Sequence, residues 1–206
     1  MAKLYFFIII LIKCSIYKNY QGLALKFRHG FLIATSAHRE HPYAQSVLYI
    51  CEHTPQGSLG LILNKHMDLS LADLTKNYTV AGMRTRVFLG GVTQSQERGF
   101  VLHRNLGRFW QGTSQLATDL FLTTTNDILE DIGYFAENDY RVFLGYTGWQ
   151  AGQLDDEITK DYWFFIPYHS KLIFLKPEDL WMECYKRLGF QPEQIVCVDP
   201  GLNLIH

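Results

Sequence analysis

Cys51 and His53 are the first residues whose types and spacing could support a reaction. They lie in the apolar run 46–53, and alternate residues of a strand project to the same face. We therefore expect the thiol and the imidazole to share one face and Glu52 to lie on the other. Such a pair can act as nucleophile and base or as two metal ligands. The simpler interpretation, which we favour, is that His53 closes the strand through hydrogen bonds.

The paired glycines Gly90 and Gly91 follow a second apolar run. Backbone amides beside glycines can hold an anion, and Arg98 could supply the matching charge shortly before His103. The alternative, which we prefer, is a tight turn between strands with Arg98 bound to backbone carbonyls. A phosphate loop needs a longer glycine pattern with Lys-Ser/Thr, and this sequence has none.

Thr123, Thr124 and Thr125 come directly before Asn126 and Asp127. The pattern places hydroxyl groups at the end of a strand and beside the start of a helix, where an anion or a polar ligand is favoured. Threonine is also a good strand residue and aspartate a good helix cap. We favour this structural interpretation.

The segment from Tyr146 to Glu157 predicts a strand that passes through a glycine-rich turn into a helix. Trp149, Gln153 and Glu157 are spaced by four residues, which places them on one helical face. An aromatic ring, an amide and a carboxylate there suit either a polar pocket or an internal network. A single carboxylate does not make a general acid–base pair, and we favour the network.

The elements that position these residues predict an α+β fold. Runs rich in Val, Ile, Leu, Phe, Tyr and Thr predict strands at 30–35, 46–53, 58–64, 86–90, 99–103, 119–124, 140–146 and 171–175. Residues 54–57 predict a hairpin turn in which Gly57 takes a positive φ. Strands outnumber helices without regular alternation, which favours a coiled, mostly antiparallel sheet over a doubly wound parallel one.

About four helices accompany the sheet. Residues 177–188 predict one with Pro at its first turn, acidic residues near its positive end and Gly189 after its end. Residues 127–130 and 70–73 resemble capping boxes that open short helices, and a fourth helix is predicted over 149–160.

Composition indicates one folded domain of 206 residues with a formal charge of −1. Proteins that grip nucleic acid usually carry a basic stripe, whereas the arginines here are dispersed, so charge argues against nucleic acid as a partner. These arginines are Arg84, Arg86, Arg98, Arg104 and Arg108.

Residues 1–20 are interpreted as an apolar extension that precedes a domain over 21–206. The apolar run 4–12 is shorter than the ~20 residues that span a bilayer. A secretory leader, an anchor and a start codon upstream of the natural one remain open for it, and no membrane role is expected unless residues 4–12 form an anchor.

Four cysteines have neither metal-like nor redox-like spacing, which predicts reduced, buried thiols in a cytoplasmic protein. They are Cys14, Cys51, Cys184 and Cys197. No known hydrolase, zinc, nucleotide or dinucleotide motif occurs in the chain. We therefore expect no cofactor and no metal, and we assign no catalytic residue.

In their order, these segments resemble the YqgE/AlgH family of bacterial proteins. The matching residues are 30–34, 46–53 with Gly57, Gly60 and Asn64, 89–91, 98–103, 123–127, 144–146, Gly148, Trp149, 152–154, Glu157 and Ile158. Thr35-Ser36, His66 and Val92 differ from the residues usual in that family. The resemblance implies an α+β fold of bifurcated, coiled sheets in a cytoplasmic protein, with no established reaction, and some members are labelled transcriptional regulators.

The leading hypothesis is a non-enzymatic regulatory or interaction protein that binds a partner protein or a small polar ligand. Its candidate contacts are His53, Asn64, Gly90, Gly91, Arg98, His103, Thr123, Thr125, Asp127, Tyr146, Trp149, Gln153 and Glu157. One alternative is an enzyme with a polar pocket around Cys51, His53, Arg98 and Glu157. Another is a transcriptional regulator that acts on DNA directly or indirectly.

Overall fold

The computed structural model describes residues 29–38, 42–74, 85–92 and 94–190. The predicted extension over 1–20, together with Cys14, Arg84 and Cys197, lies outside the described residues. The division into an extension and a domain over 21–206 therefore stays a prediction.

Ten strands and five α-helices occupy the described part of the chain. The strands are β1 (Gly30–Ala34), β2 (Val47–Thr54), β3 (Gly57–Ile62), β4 (His66–Ser70), β5 (Arg86–Leu89), β6 (Gln94–His103), β7 (Thr113–Ala117), β8 (Leu120–Thr123), β9 (Tyr140–Gln150) and β10 (Trp163–Pro167). The helices are α1 (Leu71–Leu74), α2 (Ile128–Asp131), α3 (Gln153–Thr159), α4 (Ser170–Ile173) and α5 (Pro177–Arg187). Short 3₁₀ turns lie at Ser36–His38, Ile132–Tyr134 and Glu137–Asp139.

The strands form one curled, mostly antiparallel sheet in the order β10-β1-β2-β3-β9-β6-β8-β7. Strand β9 changes partners along its length: residues up to Tyr146 pair with β6, and residues from Thr147 pair with β3. Gly145, close to this change of partner, has φ 73°, which a residue with a side chain rarely adopts. Strand β5 adds a parallel pairing with β9 and an antiparallel one with β4. The α+β class and the mostly antiparallel sheet are confirmed.

Three clusters of buried side chains hold the sheet against its helices. The first packs one face of β1, β2, β3, β6, β8 and β9 against α4 and α5. The second packs the opposite face of β1 and β2 against α3 through Leu154 and Ile158. The third joins β6 and β9 to α1 and α2. These clusters place α3 and α5 on opposite faces of β1 and β2.

Local signals account for several element boundaries. Asp127 caps α2 by accepting a hydrogen bond from Ile128 N at 3.1 Å, and the Asp73 carboxylate accepts one from Ser70 N at 2.8 Å. Helix α5 begins with Pro177, and the hairpin turn between β2 and β3 contains Gly57 with φ 146°. All four features follow the predictions.

Three regions differ from the predictions. The strand predicted over 171–175 is absent, and residues 171–173 belong to helix α4 instead, because a short apolar run lacks a period that separates the two states. The helix predicted over 149–160 begins only at Gln153, since β9 continues through Gln150 to pair with β3. Strands β4, β7 and β10 were not predicted, and five helices occur where about four were expected.

Candidate functional site

Glu157 on α3 is the centre of a closed hydrogen-bond network. Its Oε2 accepts hydrogen bonds from Trp149 Nε1 at 2.9 Å and Trp163 Nε1 at 2.7 Å, and its Oε1 accepts one from Gln153 Nε2 at 3.0 Å. Gln153 Oε1 in turn accepts a hydrogen bond from Gln150 N at 3.0 Å. The predicted trio of residues 149, 153 and 157 is therefore brought together, although Trp149 lies on β9. We call these residues, with Trp163, the α3 network.

His53 lies near the α3 network and contacts two residues that sequence reasoning missed. Its Nδ1 is 2.7 Å from Ser58 Oγ, and its Nε2 is 3.7 Å from Asp155 Oδ1. Ser58 is opposite His53 in the hairpin, and Asp155 projects from α3. The order serine, histidine, aspartate is that of a hydrolase triad. However, β2 and β9 pair with β3 on both sides of Ser58, so this central strand offers no free edge of amides for an oxyanion.

Cys51 lies apart from His53 because the strand contains a bulge. The register between β2 and β3 shifts between Ile50 and Glu52, and an inserted residue reverses the alternation of side chains. Cys51 therefore joins the first core cluster, while His53 faces Asp155 on the α3 side. Burial raises the pKa of the Cys51 thiol well above its ordinary range. The prediction that Cys51 and His53 share a face is wrong, and the set Cys51, His53, Arg98 and Glu157 does not form one pocket.

The paired glycines serve close packing against β9. Gly90 N donates to Leu144 O at 2.8 Å, and Gly90 O accepts from Ile62 N at 3.0 Å. A Cβ added at Gly90 would lie 2.0 Å from Gly145 O, and one at Gly91 would lie 2.1 Å from the backbone of Tyr146. The Gly90 amide is therefore used inside the fold and is not presented to an anion.

Arg98 is exposed and stacks on rings. Its guanidinium lies 5.3 Å from the Phe100 ring centroid and 6.0 Å from that of Tyr146. Among the described residues it donates no hydrogen bond to a backbone carbonyl, so that part of the prediction is wrong. Tyr146 packs edge-on to Phe100 at 5.8 Å. The Phe100 ring therefore contacts both candidate residues, Arg98 and Tyr146.

The threonine segment forms a second internal network. His103 Nδ1 lies 2.7 Å from Arg104 O, which makes it the donor. Its Nε2 is 2.9 Å from Thr123 Oγ1, which lies 2.7 Å from Thr113 Oγ1. Burial lowers the pKa of His103, so the neutral ring is favoured.

Asp127 and Thr125 support the turn that follows β8. Asp127 accepts hydrogen bonds from Gln111 N at 3.0 Å and from the Thr125 hydroxyl, in addition to capping α2. The Thr125 hydroxyl is the main reason why the pKa of Asp127 is lowered. The four-residue helix α2 thus has its start occupied by its own side chain, as the structural interpretation predicted.

Asn64 is separated from these networks and lies beside an open cleft. Its Oδ1 accepts from Val47 N at 2.9 Å, and its Nδ2 donates to Gln45 O at 2.8 Å. The cleft has a volume of about 430 Å³ and separates the end of the β3 region from the start of α5. It is lined by Ala44, Gln45, Asn64, Lys65, Pro177, Glu178, Trp181 and Met182. No local pattern marks it, because its two walls are distant in the chain.

Residues 31–193 match a family model described as AlgH-like. The chain belongs to the AlgH-like family. The resemblance to the YqgE/AlgH family is thereby confirmed, and the matched region contains the α3 network and the cleft.

Bacterial relatives cover most of the AlgH-like chain. A UPF0301 protein of Saccharophagus degradans is 38% identical over 173 residues, which cover 82% of this chain and 85% of the relative. The UPF0301 protein VP2612 of Vibrio parahaemolyticus is 33% identical over 181 residues, which cover 83% of this chain and 96% of the relative. The names of these relatives state no reaction, ligand or partner.

Two solved structures share the AlgH-like fold. The solution structure of the AlgH protein from Pseudomonas aeruginosa aligns with a TM-score of 0.68 at 30% identity, covering 84% of this chain and 94% of that one. The crystal structure of protein DIP2367 from Corynebacterium diphtheriae aligns with a TM-score of 0.64 at 22% identity, covering 79% and 86%. The second likeness is one of fold alone.

The described part of this AlgH-like chain contains neither a metal-binding cluster nor a membrane-spanning helix. No three His, Cys, Asp or Glu side chains within it are placed to hold a metal ion. None of its described helices combines the length and the apolar character needed to cross a membrane.

Proposed function

We propose that this chain is a non-enzymatic regulatory protein that binds a small polar ligand in the cleft beside Asn64 and Lys65. The observation that carries the proposal is the cleft itself, about 430 Å³ in volume with both polar and apolar lining residues. Ligand sites are concave, mainly apolar and of this size, with a few polar groups that fix orientation. Gln45, Asn64, Lys65 and Glu178 supply such groups, while Trp181 and Met182 supply apolar surface.

The hydrogen bonds of the α3 network support binding over catalysis. Glu157 accepts three hydrogen bonds from protein donors, so its carboxylate is already bound within the fold. A general base needs access to the substrate proton that it removes. The two thiols of the described residues, Cys51 and Cys184, are buried, and burial raises the pKa of both. These groups are suited to holding the fold together.

A cytoplasmic location and an indirect regulatory role are part of this proposal. Buried free thiols are typical of a reducing compartment. Direct DNA binding is disfavoured because Arg104 contacts Asp139 at 3.3 Å and Arg108 contacts Asp131 at 2.6 Å. These ion pairs neutralise two of the dispersed arginines that a basic face would need.

A ligand-stabilisation screen tests the proposal. Thermal unfolding of the full chain is followed against neutral, cationic, anionic and aromatic metabolites, and a ligand at a hundredfold excess over its Kd should add about 2.7 kcal/mol. Ala44→Phe fills the cleft from its wall and should abolish the stabilisation. Ala136→Phe places the same ring at an exposed position outside the cleft lining and should leave the stabilisation intact. A panel without any hit, or a hit that Ala44→Phe does not affect, contradicts the proposal.

The contacts of His53 define a second candidate function, ester or amide hydrolysis by Ser58, although the strand pairing on both sides of Ser58 argues against it. They provide a serine, a base and an orienting carboxylate at 2.7 Å and 3.7 Å. Hydrolysis of p-nitrophenyl acetate by the purified chain tests it, with Ser58→Ala and Asp155→Asn as variants. We expect the variants and the parent to show the same background rate, because β3 lacks free amides at Ser58. A rate that Ser58→Ala abolishes would favour the hydrolase.

A further inference from the structure

Arg141 on β9 is a buried cation that pairs with no carboxylate of the described segments. It is 6% exposed, its Nη1 donates to Leu63 O at 2.9 Å, and its Nη2 donates to Leu175 O. Its guanidinium lies 4.9 Å from the Phe88 ring centroid. Among the described residues no carboxylate lies within 4.0 Å of it, and burial lowers its pKa to about 10. A buried charge that only carbonyls and rings accompany is expensive for a fold.

The two carbonyls that hold Arg141 are close in the chain to the two walls of the cleft. Leu63 directly precedes Asn64 and Lys65, and Leu175 lies two residues before Pro177. The guanidinium therefore links the segment that leads into the wall from the β3 region to the segment that leads into the wall from α5. Because water screens a buried charge poorly, its field extends to the space between these walls.

Lys65 adds to the same charge imbalance, and His66 follows it in the chain. Lys65 Nζ donates to Pro42 O at 2.6 Å, no described carboxylate pairs with it, and burial lowers its pKa. The His66 ring lies 4.2 Å from the Phe88 ring, and its Nδ1 is buried without a hydrogen-bond partner in the described residues. The pKa of His66 is lowered first by burial and then by Arg86 and Arg141, whereas Glu178 raises it. Lys65 and Arg141 are thus the two cations of this region, and the lowered pKa favours a neutral His66 ring.

The start of α5 also faces this region. Its cap residue, Lys176, makes no side-chain capping hydrogen bond, and its first turn contains the acidic residues Glu178 and Asp179. Helix amino termini favour anions. Glu178 is the acidic residue that lines the cleft, and its side chain is exposed at the rim.

We propose that the cleft binds the carboxylate or phosphate group of a small organic anion, paired with Lys65 and attracted by Arg141 behind the walls. The inference rests on the proposed function, since it names the class of ligand for the same cleft. The apolar part of the ligand lies on Trp181 and Met182, and the Gln45 and Asn64 amides border the anionic group. The volume of about 430 Å³ suits a single metabolite.

Three probes of similar shape test the charge requirement: benzoate, phenyl phosphate and neutral benzamide. Thermal unfolding of the full chain is measured with each probe at constant ionic strength, which separates binding from general screening. We expect stabilisation by one or both anions and none by benzamide. A benzoate response without a phenyl phosphate response identifies a carboxylate site, and the reverse identifies a phosphate site.

Substitutions of Lys65 locate the effect. Lys65→Met should weaken binding of the anion at least tenfold, Lys65→Arg should retain it, and Lys160→Met, at an exposed lysine outside the cleft lining, should change nothing. Equal responses to benzamide and benzoate, an unchanged affinity in Lys65→Met, or no response to either anion would overturn the inference. If neutral metabolites still bind and Ala44→Phe abolishes that binding, the proposed function stands without the anion. If nothing binds, both proposals fail.

Discussion

The α3 network and the cleft are both polar regions beside an indole ring, but they differ in how their charges are compensated. In the α3 network one carboxylate accepts hydrogen bonds from Trp149, Trp163 and Gln153. Around the cleft, the hydrogen-bond partners of Lys65 and Arg141 among the described residues are carbonyl oxygens. Buried polar groups that satisfy one another specify a fold. A charge that lacks an opposite charge marks a place where a ligand can supply one. We therefore infer that the α3 network stabilises the fold and that the cleft binds a ligand.

The largest effect is expected at Glu157. Glu157→Ala leaves the Trp149 and Trp163 indole N–H groups, both in buried side chains, without their acceptor. An unsatisfied buried donor costs about 1–3 kcal/mol, so we expect the free energy of unfolding to fall by about 4 kcal/mol in urea titrations. Asp156→Ala, at the exposed neighbouring position, is the matched control and should change stability by less than about 0.5 kcal/mol. Equal stabilities for the two variants would contradict the structural role of the α3 network.

Gly90→Ala should follow with a loss of about 3 kcal/mol, the upper end of the cost of overpacking a core. The added methyl would lie 2.0 Å from Gly145 O, and backbone cannot move aside as a flexible side chain can. Gly99→Ala is the control, because a Cβ at Gly99 meets nothing within 4 Å. Urea unfolding of both variants measures the difference. A tolerant Gly90 would reopen its assignment as an anion-holding turn.

Lys65→Met should have a small effect on stability, in contrast to Glu157→Ala. Lys65 forms no ion pair with a described residue, and its hydrogen bond to Pro42 O is exposed. We expect a change in the free energy of unfolding within about 0.5 kcal/mol, as for surface substitutions in general. Urea unfolding without ligand measures it. A loss comparable to that of Glu157→Ala would mean that Lys65 supports the fold and that the two regions do not differ.

A further expected effect is a pH dependence from His103. Its folded-state pKa is lowered by burial, so between the folded pKa and the unfolded value of about 6.5 the unfolded state binds more protons. Stability is therefore complete above about pH 6.5 and decreases as the pH falls below it, by at most about 1.4 kcal/mol per pH unit. Urea unfolding at several pH values should show a shallower slope for His103→Gln. An unchanged slope would assign the dependence to His66, whose pKa is also lowered.

Local signals explain how much of the fold could be predicted. Asp127 at a helix start, Pro177 in a first turn and Gly57 in a hairpin each act on their own neighbours, and each is where the sequence pattern placed it. The α3 network could also be predicted in part from the sequence, because residues 149, 153 and 157 have helical spacing. Trp163 was not, since its indole arrives from β10, a strand that gave no clear pattern.

Non-local packing explains why the other features could not be predicted from the sequence. The bulge after Ile50 depends on how β2 meets β3, and it moves Cys51 and His53 to different faces although alternation places them together. The cleft needs Lys65 and Pro177 to face each other across two distant parts of the chain. Charge compensation is a property of the assembled structure, so no local sequence pattern distinguishes Arg141 within its apolar strand.

Chemical-shift mapping by NMR on the ¹⁵N-labelled chain tests the contrast between the two regions most directly. Benzoate or phenyl phosphate is titrated at constant ionic strength, and the amide shifts of both regions are followed together. The account predicts saturable shifts at Gln45, Asn64, Lys65 and Glu178, with none at Ser58, Gln153 or Glu157. Shifts confined to the α3 network, or an absence of saturable shifts in the cleft, would contradict it.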